Sequence, residues 1–319
     1  MPVIVIVGLV ANCLCLLTYC RTRLRVLSSS FYIASLSVVH TLYLLRWTVS
    51  WLENFEVIRN FGFYSCFLLS YSIYVLMFVS AYTFLAMTLE RCVIVYFPQK
   101  RLKWCKPWRA KALVTSISAT GLVLYSATFL FVETVELGDG ERTVCYSKQT
   151  VAMFGADVPL HIMDAVIAHL LPASAIVALN VAIAWKIRHV LCRDKSTPAA
   201  VDDDVMEQNM TSCIRIQLSR EGITPKLSRS LSEVLKQDFN LRTTRACLCT
   251  SCVYLALYVP ITVMSVTTKL FDMSQYYNRF VTVIHVCHFV SHVNYALTSL
   301  LFCVTNRSSR YALLRLFRS

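Results

Sequence analysis

The sequence predicts an all-α membrane protein, a bundle of seven transmembrane helices followed by a short amphipathic helix at the membrane surface. Composition is the first observation behind this prediction, because 56% of the 319 residues are hydrophobic and only 15% are charged. Soluble proteins average about 25% charged residues. The second observation is that seven stretches, each at least 20 residues long, contain no Asp, Glu, Lys or Arg. A helix of about 20 apolar residues spans the hydrocarbon core of a bilayer.

The predicted spans follow these stretches in order. One such stretch alone would also fit a buried helix of a large soluble protein, whereas seven in one chain favour the membrane. The first stretch alternatively resembles a signal peptide, but its bases Arg21, Arg23 and Arg25 follow the apolar run instead of preceding it. The spans are predicted at about residues 2–20, 28–51, 61–92, 111–132, 158–187, 244–268 and 280–304.

The distribution of charge among the loops is the third observation. Four alternate segments carry +3, +6, +3 and +4, which makes +16, whereas the other three loops together carry −2. Short basic loops stay in the cytoplasm. We therefore expect a multi-pass plasma-membrane protein with its N-terminus outside and its C-terminus in the cytoplasm, and no nucleic-acid partner despite the net charge of +13. The basic segments are 21–25, 90–111, 186–245 and 307–319.

Two polar regions on the cytoplasmic side differ from the spans. Loop 190–240 carries an acidic run at 202–204 and is predicted to be disordered. Segment 307–318 places four arginines on one helical face and Leu and Phe on the other. This pattern predicts a helix that lies on an anionic leaflet.

Only two of the 14 cysteines, Cys66 and Cys145, fall on the predicted outer side. Disulfides persist in oxidising compartments. We therefore expect a Cys66–Cys145 disulfide that holds loop 133–157 over the helix ends. The closely spaced cysteines at 247, 249 and 252 have no His nearby, so we expect no metal site there.

Short motifs occur in a fixed order along the chain. Gly8 and Asn12 form a GxxxN pattern in the first span, and Glu90-Arg91-Cys92 ends the third span with Arg91 25 residues after Cys66. The later matches are Pro98, Pro172 with Asn180, Tyr258-Val259-Pro260, and Asn294 with residues 298–302. In order and spacing, over all seven spans, the chain resembles the rhodopsin-like (class A) G-protein-coupled receptors.

The resemblance implies a receptor, not an enzyme, with no cofactor. It implies that Arg91 contacts a heterotrimeric G protein once the sixth helix swings outward. Asn240 lies 20 residues before Pro260, where the family usually places a restraining carboxylate, and Asp238 is the nearest acid. We therefore expect a weak restraint and elevated basal signalling. The coupling and switch residues that the resemblance implies are Glu90, Arg91, Cys92, Asn180, Tyr258, Pro260, Asn294 and Phe302.

Several family positions carry other residues. Tyr258 replaces a Trp, Asn180 and Phe302 replace tyrosines, and residues 298–299 replace Asn-Pro. His40 stands where the family has the Asp that binds an allosteric sodium ion. Because neutral imidazole is a poor ligand for a hard cation, we expect this site to be lost. Ser80, Asn294 and Thr298 are then the expected hydrogen-bonding partners of His40.

Two positions narrow the ligand class. Ile73 stands where amine receptors have an Asp, and His292 stands where opsins have the retinal-binding Lys. Neither an amine nor covalent retinal is therefore expected. Segments 29–37 and 97–111 resemble invertebrate FMRFamide-type neuropeptide receptors. The resemblance implies a peptide ligand, and the acidic outer face favours a cationic or amidated one.

Acidic residues on the outer side are the first candidates for ligand contacts. Glu133 and Glu136 would attract a cationic peptide, although a solvated loop explains them equally. Asp164 lies in an apolar stretch, where a carboxylate usually faces a cavity, with a buried structural partner as the alternative. Candidate pocket walls are Tyr74, Met77, Tyr258, His288 and His292.

The prediction is therefore a neuropeptide receptor that signals to a heterotrimeric G protein by a ligand-driven shift between conformations. A divergent, non-signalling seven-helix protein is the alternative. A transporter or channel is disfavoured, because the spans are nearly free of charge and show no internal repeat.

Overall fold

A computed structural model of the chain describes residues 2–21, 27–54, 63–130, 132–137, 142–147, 165–194, 244–264, 267, 277–305 and 310. Seven helices in these ranges are long and apolar enough to cross a membrane, which confirms the predicted fold class. We name them α1 (Pro2–Arg21), α2 (Ser28–Asn54), α3 (Phe63–Tyr96), α4 (Pro107–Leu124), α5 (Leu171–Asp194), α6 (Thr244–Met264) and α7 (Tyr277–Thr305).

The helices begin and end at residues other than those predicted mainly where a proline or an irregular helical turn changes the backbone. α4 begins at Pro107, because proline tolerates the first helical position, and a 3₁₀ segment, Tyr125–Leu130, follows it. α5 is preceded by a π-helical turn, Ala165–Leu170. α5 continues to Asp194, so residues 190–194 are helical and their predicted disorder was wrong. The rest of loop 190–240 lies outside the described residues, as does the predicted helix 307–318 apart from Arg310.

The expectation of an all-α chain missed a β-hairpin after α4. Strand β1 (Val132–Leu137) pairs antiparallel with β2 (Arg142–Ser147), from Val132 opposite Ser147 to Leu137 opposite Arg142. The two strands are rich in Val, Thr and Tyr, which favour extended backbone. Both strands contact α3.

α3 is the central helix of the bundle, because it packs against α2, α4 and α5. Phe84 of α3 is fully buried and stacks on Tyr254 of α6, with ring centroids 4.3 Å apart. It also lies 6.1 Å from the ring of Phe302 on α7. α3 therefore contacts helices on both sides of the bundle.

α1, α2 and α7 meet at Gly8. A Cβ atom on this residue would lie 2.6 Å from Leu44 Cδ1 and 2.8 Å from Ala296 Cβ. Contacts this short are repulsive, so the three helices approach each other this closely only because position 8 has no side chain.

Candidate functional site

Two histidines of α7 lie near aromatic residues of α2. The Tyr43 hydroxyl and His292 Nδ1 are 3.0 Å apart and share a hydrogen bond. The Trp47 ring lies 4.0 Å from that of His292, centroid to centroid. His288 is one turn away, exposed, with its ring centroid 6.4 Å from that of His292. The structure thus brings together two predicted wall residues and adds Tyr43 and Trp47, which the sequence analysis missed.

Tyr74 and Met77, three residues apart on α3, pack against different clusters of residues. Met77 packs against the cluster that contains Tyr43 and Tyr295 of α2 and α7. Tyr74 stacks on Tyr125 after α4, with centroids 5.5 Å apart. Met77 is therefore close to the histidines, whereas Tyr74 belongs to the α3–α4 contact.

The π-helical turn before α5 is held by tyrosines from two other helices. The Tyr82 hydroxyl of α3 donates to the Ile167 carbonyl oxygen at 2.9 Å. The Tyr258 hydroxyl of α6 lies 2.7 Å from His169 Nδ1 and donates to the Ala168 carbonyl oxygen at 3.2 Å. A π-turn leaves backbone carbonyls without their usual helical donors, and such turns are frequent at functional sites. Tyr258 therefore links α6 to α5 at this turn.

Tyr258 was predicted from the sequence as a site residue, whereas its partner His169 was not. A polar residue three positions before Pro172, inside an apolar stretch, was the signal that was present. Arg46 falls within the predicted second span at 28–51 but was not predicted as a functional residue. It lies within α2, and its Nε donates to the Leu69 carbonyl oxygen of α3 at 3.1 Å. An ionisable group inside a span is a functional candidate by default.

His40 is fully buried between α2, α3 and α7. Its Nε2 lies 2.9 Å from Ser80 Oγ, one of the three expected partners, and its ring meets Tyr295 edge-on at 5.1 Å. Asn294 instead accepts a hydrogen bond from the Thr298 hydroxyl at 2.9 Å. The expected loss of sodium binding stays a prediction.

Asn12 and Ser299 connect α1 to α7. Asn12 Nδ2 donates to the carbonyl oxygens of Gly8 at 2.7 Å and Tyr295 at 3.2 Å. The Ser299 hydroxyl donates to Asn12 Oδ1 at 2.5 Å. Ser299, at the position of the family proline, therefore supplies a hydroxyl donor that proline lacks.

Glu90 and Arg91 form a buried ion pair near the C-terminal end of α3. Arg91 Nη2 lies 3.8 Å from Glu90 Oε1, which also accepts a hydrogen bond from the Ser28 hydroxyl of α2 at 2.8 Å. A buried charge is costly unless it is paired. The hydrogen bond from Ser28 to Glu90 also connects α2 to α3. Cys92 is half-buried beside it. The predicted restraining positions Asp238 and Asn240 lie outside the described residues.

The remaining switch positions form contacts between helices. Asn180 of α5 accepts a hydrogen bond from the Ser251 hydroxyl of α6 at 3.2 Å. Phe302 is buried against Phe84, as described above, and Pro260 is half-buried in α6. These contacts link α5 to α6 and α3 to α7 at the positions where the family has tyrosines.

Other predicted residues are placed only in part. Asp164 lies outside the described residues, and Glu133 and Glu136 are on β1, where only the backbone is described. Cys66 is fully buried near the start of α3 and is disulfide-bonded. The backbone of Cys145 lies on β2 opposite Thr134, and β2 contacts α3. Within the described residues, no three His, Cys, Asp or Glu side chains are grouped to hold a metal ion.

Comparison with known proteins identifies the family. No curated protein matches the sequence. The profile of the family described as 7 transmembrane receptor (rhodopsin family) matches residues 11–298, which is most of the chain. The match covers the described parts of α2 to α6, about half of α1 and most of α7. The chain therefore belongs to the rhodopsin family of seven-transmembrane receptors.

Proposed function

We propose that this receptor binds an extracellular neuropeptide and transmits the binding event to a cytoplasmic heterotrimeric G protein. The observation that carries the proposal is the buried Glu90–Arg91 pair near the end of α3, in a chain of this receptor family. The positive charge of segment 90–111 supports a cytoplasmic location for this end of the bundle. The N-terminus is then outside, in the plasma membrane.

The proposed mechanism is a shift between two conformations of the bundle. The Tyr258 hydroxyl connects α6 to the π-turn before α5, and Phe84 of α3 stacks on Tyr254, one turn earlier in α6. A ligand that contacts α5 or α7 more favourably in one arrangement would move α6 and release Arg91 for the G protein. The shift can be no larger than the ligand's difference in affinity for the two states.

A peptide ligand is supported by the resemblance of segments 29–37 and 97–111 to FMRFamide-type receptors. It is also supported by the acids at 133 and 136 on β1, which favour a cationic or amidated peptide. Asp164 is the proposed contact for the peptide's Arg or amide group. We further propose that Cys145 of β2 is the disulfide partner of Cys66, which would hold the hairpin beside α3.

A second-messenger assay with a peptide library tests the proposal. The wild-type receptor should respond to a cationic or amidated peptide, and Arg91→Ala should abolish the response while surface expression and peptide binding persist. Asp164→Asn should raise the half-maximal peptide concentration at least tenfold without lowering the maximal response. Full signalling by Arg91→Ala would contradict the coupling role.

The altered switch positions favour one alternative, a seven-helix protein that does not signal. Asn180, Tyr258 and Phe302 make specific buried contacts that differ in chemistry from those of the residues they replace. If no peptide evokes a response from receptor that is present at the cell surface, and basal activity equals that of untransfected cells, this alternative replaces the proposal.

A further inference from the structure

The segment between α3 and α4 presents a dense group of cations. Residues 98–100 form a 3₁₀ turn, Arg101–Trp104 form one helical turn, and α4 begins at Pro107. Five basic side chains in this segment are exposed, and we call them the basic surface: Lys100, Lys103, Lys106, Arg109 and Lys111.

Within the described residues, no acid pairs with the cations of the basic surface. The sequence has no Asp or Glu between residues 91 and 132, and in the described part of the chain none of the five cations forms a salt bridge. Three of them lie over aromatic rings: Lys100 Nζ is 4.9 Å from the Phe97 centroid, Arg109 Cζ is 5.2 Å from the Trp108 centroid, and Lys111 Nζ is 5.9 Å from the Phe31 centroid. Such contacts orient a cation but do not neutralise it.

Two exposed tryptophans place the basic surface at the depth of the lipid headgroups. Trp108 is 60% exposed and Trp104 is 52% exposed. Trp108 lies on the face of α4 opposite buried Ala110 and Val114, and this exposed face continues to Val123 at the other end of the helix. An exposed apolar face on a spanning helix contacts lipid, and Trp at its end marks the boundary between hydrocarbon and headgroups.

We propose that the basic surface is a binding site for anionic phospholipid headgroups. The unpaired cations match the phosphate charge, and Trp104 and Trp108 enter the adjoining interface and hold the site against the bilayer. Its assignment to the cytoplasmic leaflet rests on the proposed function, whereas the lipid contact itself does not. An acidic surface of a protein partner fits the charge equally, but it does not account for two tryptophans at the end of a lipid-facing helix.

Native mass spectrometry of the purified full-length receptor tests the proposal without ligand or G protein. From an equimolar mixture of phosphatidylinositol bisphosphate and phosphatidylcholine, the wild-type receptor should retain mainly the anionic lipid. Lys103→Gln, Lys106→Gln and Arg109→Gln combined should reduce this preference about tenfold or more. Higher salt should also reduce it, because the contact is ionic and near the surface.

Two controls separate local recognition from net charge. Exposed cations elsewhere provide the first, since Arg21→Gln, Arg188→Gln and Arg245→Gln combined remove the same charge and should leave the preference unchanged. The second control combines Lys103→Arg, Lys106→Arg and Arg109→Lys. These changes keep the charge and should retain the preference for anionic lipid. Soluble inositol trisphosphate should compete poorly, since it lacks the bilayer anchor.

Three results would overturn the proposal. The first is that both neutralised variants lose the preference for anionic lipid equally. The second is that the variant at 103, 106 and 109 retains the lipid. The third is that equimolar inositol trisphosphate displaces the lipid fully. If that variant retains the lipid but loses signalling, the basic surface serves a protein partner instead. If the variant at 103, 106 and 109 loses the preference for anionic lipid and the wild-type receptor does not signal, the lipid site is supported. Only the proposed function is then rejected.

Discussion

A single hydroxyl group joins α6 to the π-turn that precedes α5. Tyr258 lies where the family has a Trp, and its hydroxyl reaches both His169 Nδ1 and the Ala168 carbonyl oxygen. Trp presents one N–H donor at a different position and accepts no hydrogen bond. Tyr258 therefore makes hydrogen bonds to His169 and Ala168 that a Trp at this position would not make in the same way.

Tyr258→Phe should destabilise the receptor and weaken the link between α5 and α6. The change removes the hydrogen-bond partner of a buried histidine nitrogen and of a carbonyl oxygen. Leaving such groups unsatisfied lowers the free energy of unfolding by about 1–3 kcal/mol. The midpoint of thermal unfolding in detergent should fall. Tyr71→Phe is a matched control, because its hydroxyl donates to the Leu122 carbonyl oxygen at an exposed site, and it should cost less. An equal or larger effect at Tyr71 would contradict this account.

Cys105 provides a second prediction at the residue scale. It lies in the turn between α3 and α4, where burial, and then the nearby Glu90 carboxylate, raise the pKa of its thiol to about 11. Thiolate is the reactive form, so at neutral pH the thiol should react about a hundredfold more slowly than one with an unperturbed pKa.

Its rate of alkylation should rise about tenfold per pH unit up to about pH 10. The measurement is peptide-resolved labelling over time, with exposed Cys20 as the reference thiol. If Cys105 reacts at the rate of Cys20 at pH 7, the proposed environment of its thiol is wrong.

At the scale of helices, the close contact of α1, α2 and α7 depends on Gly8. Gly8→Ala should destabilise the bundle by about 1–3 kcal/mol, because the added methyl group overlaps Ala296, whose Cβ and backbone cannot move independently of α7. Thermal unfolding of the purified receptor measures the change.

Val10→Ala on the same helix is the control, since Val10 is 54% exposed and makes little internal contact. It should change the unfolding free energy by no more than about 0.5 kcal/mol. If Gly8→Ala is as mild as this control, α1 does not pack as tightly as described.

The disulfide concerns the whole molecule, because it would join distant parts of the chain. Cys66 is fully buried, so the labelling is done on the denatured chain. Alkylation of the denatured, unreduced receptor should leave Cys66 and Cys145 unmodified, and Cys145→Ser should make Cys66 reactive. If Cys66 stays protected in that variant, it has another partner. If both cysteines react without reduction in the wild type, the pairing and the predicted outer location of the hairpin are both wrong.

Seven spans could be predicted from the sequence alone because the cost of placing a charge in lipid is a property of each residue. Gly8, Asn12 and the Glu90-Arg91-Cys92 motif were identified by their spacing. The hairpin after α4 was missed, because its strands are short and lie next to a long apolar span. The end of α5 was misplaced, because Lys186 and Arg188 interrupt the apolar run several residues before the helix ends.

The sequence by itself determined the number of spans, the family and the separation of charge between loops, since composition and spacing specify these locally. Only the tertiary structure decided which polar groups meet inside the bundle: Tyr258 with His169, His40 with Ser80, and Ser299 with Asn12. Those pairings depend on how each helix is rotated and which neighbours it packs against. A buried polar group needs a partner but does not specify it, so packing between residues distant in the sequence makes the choice.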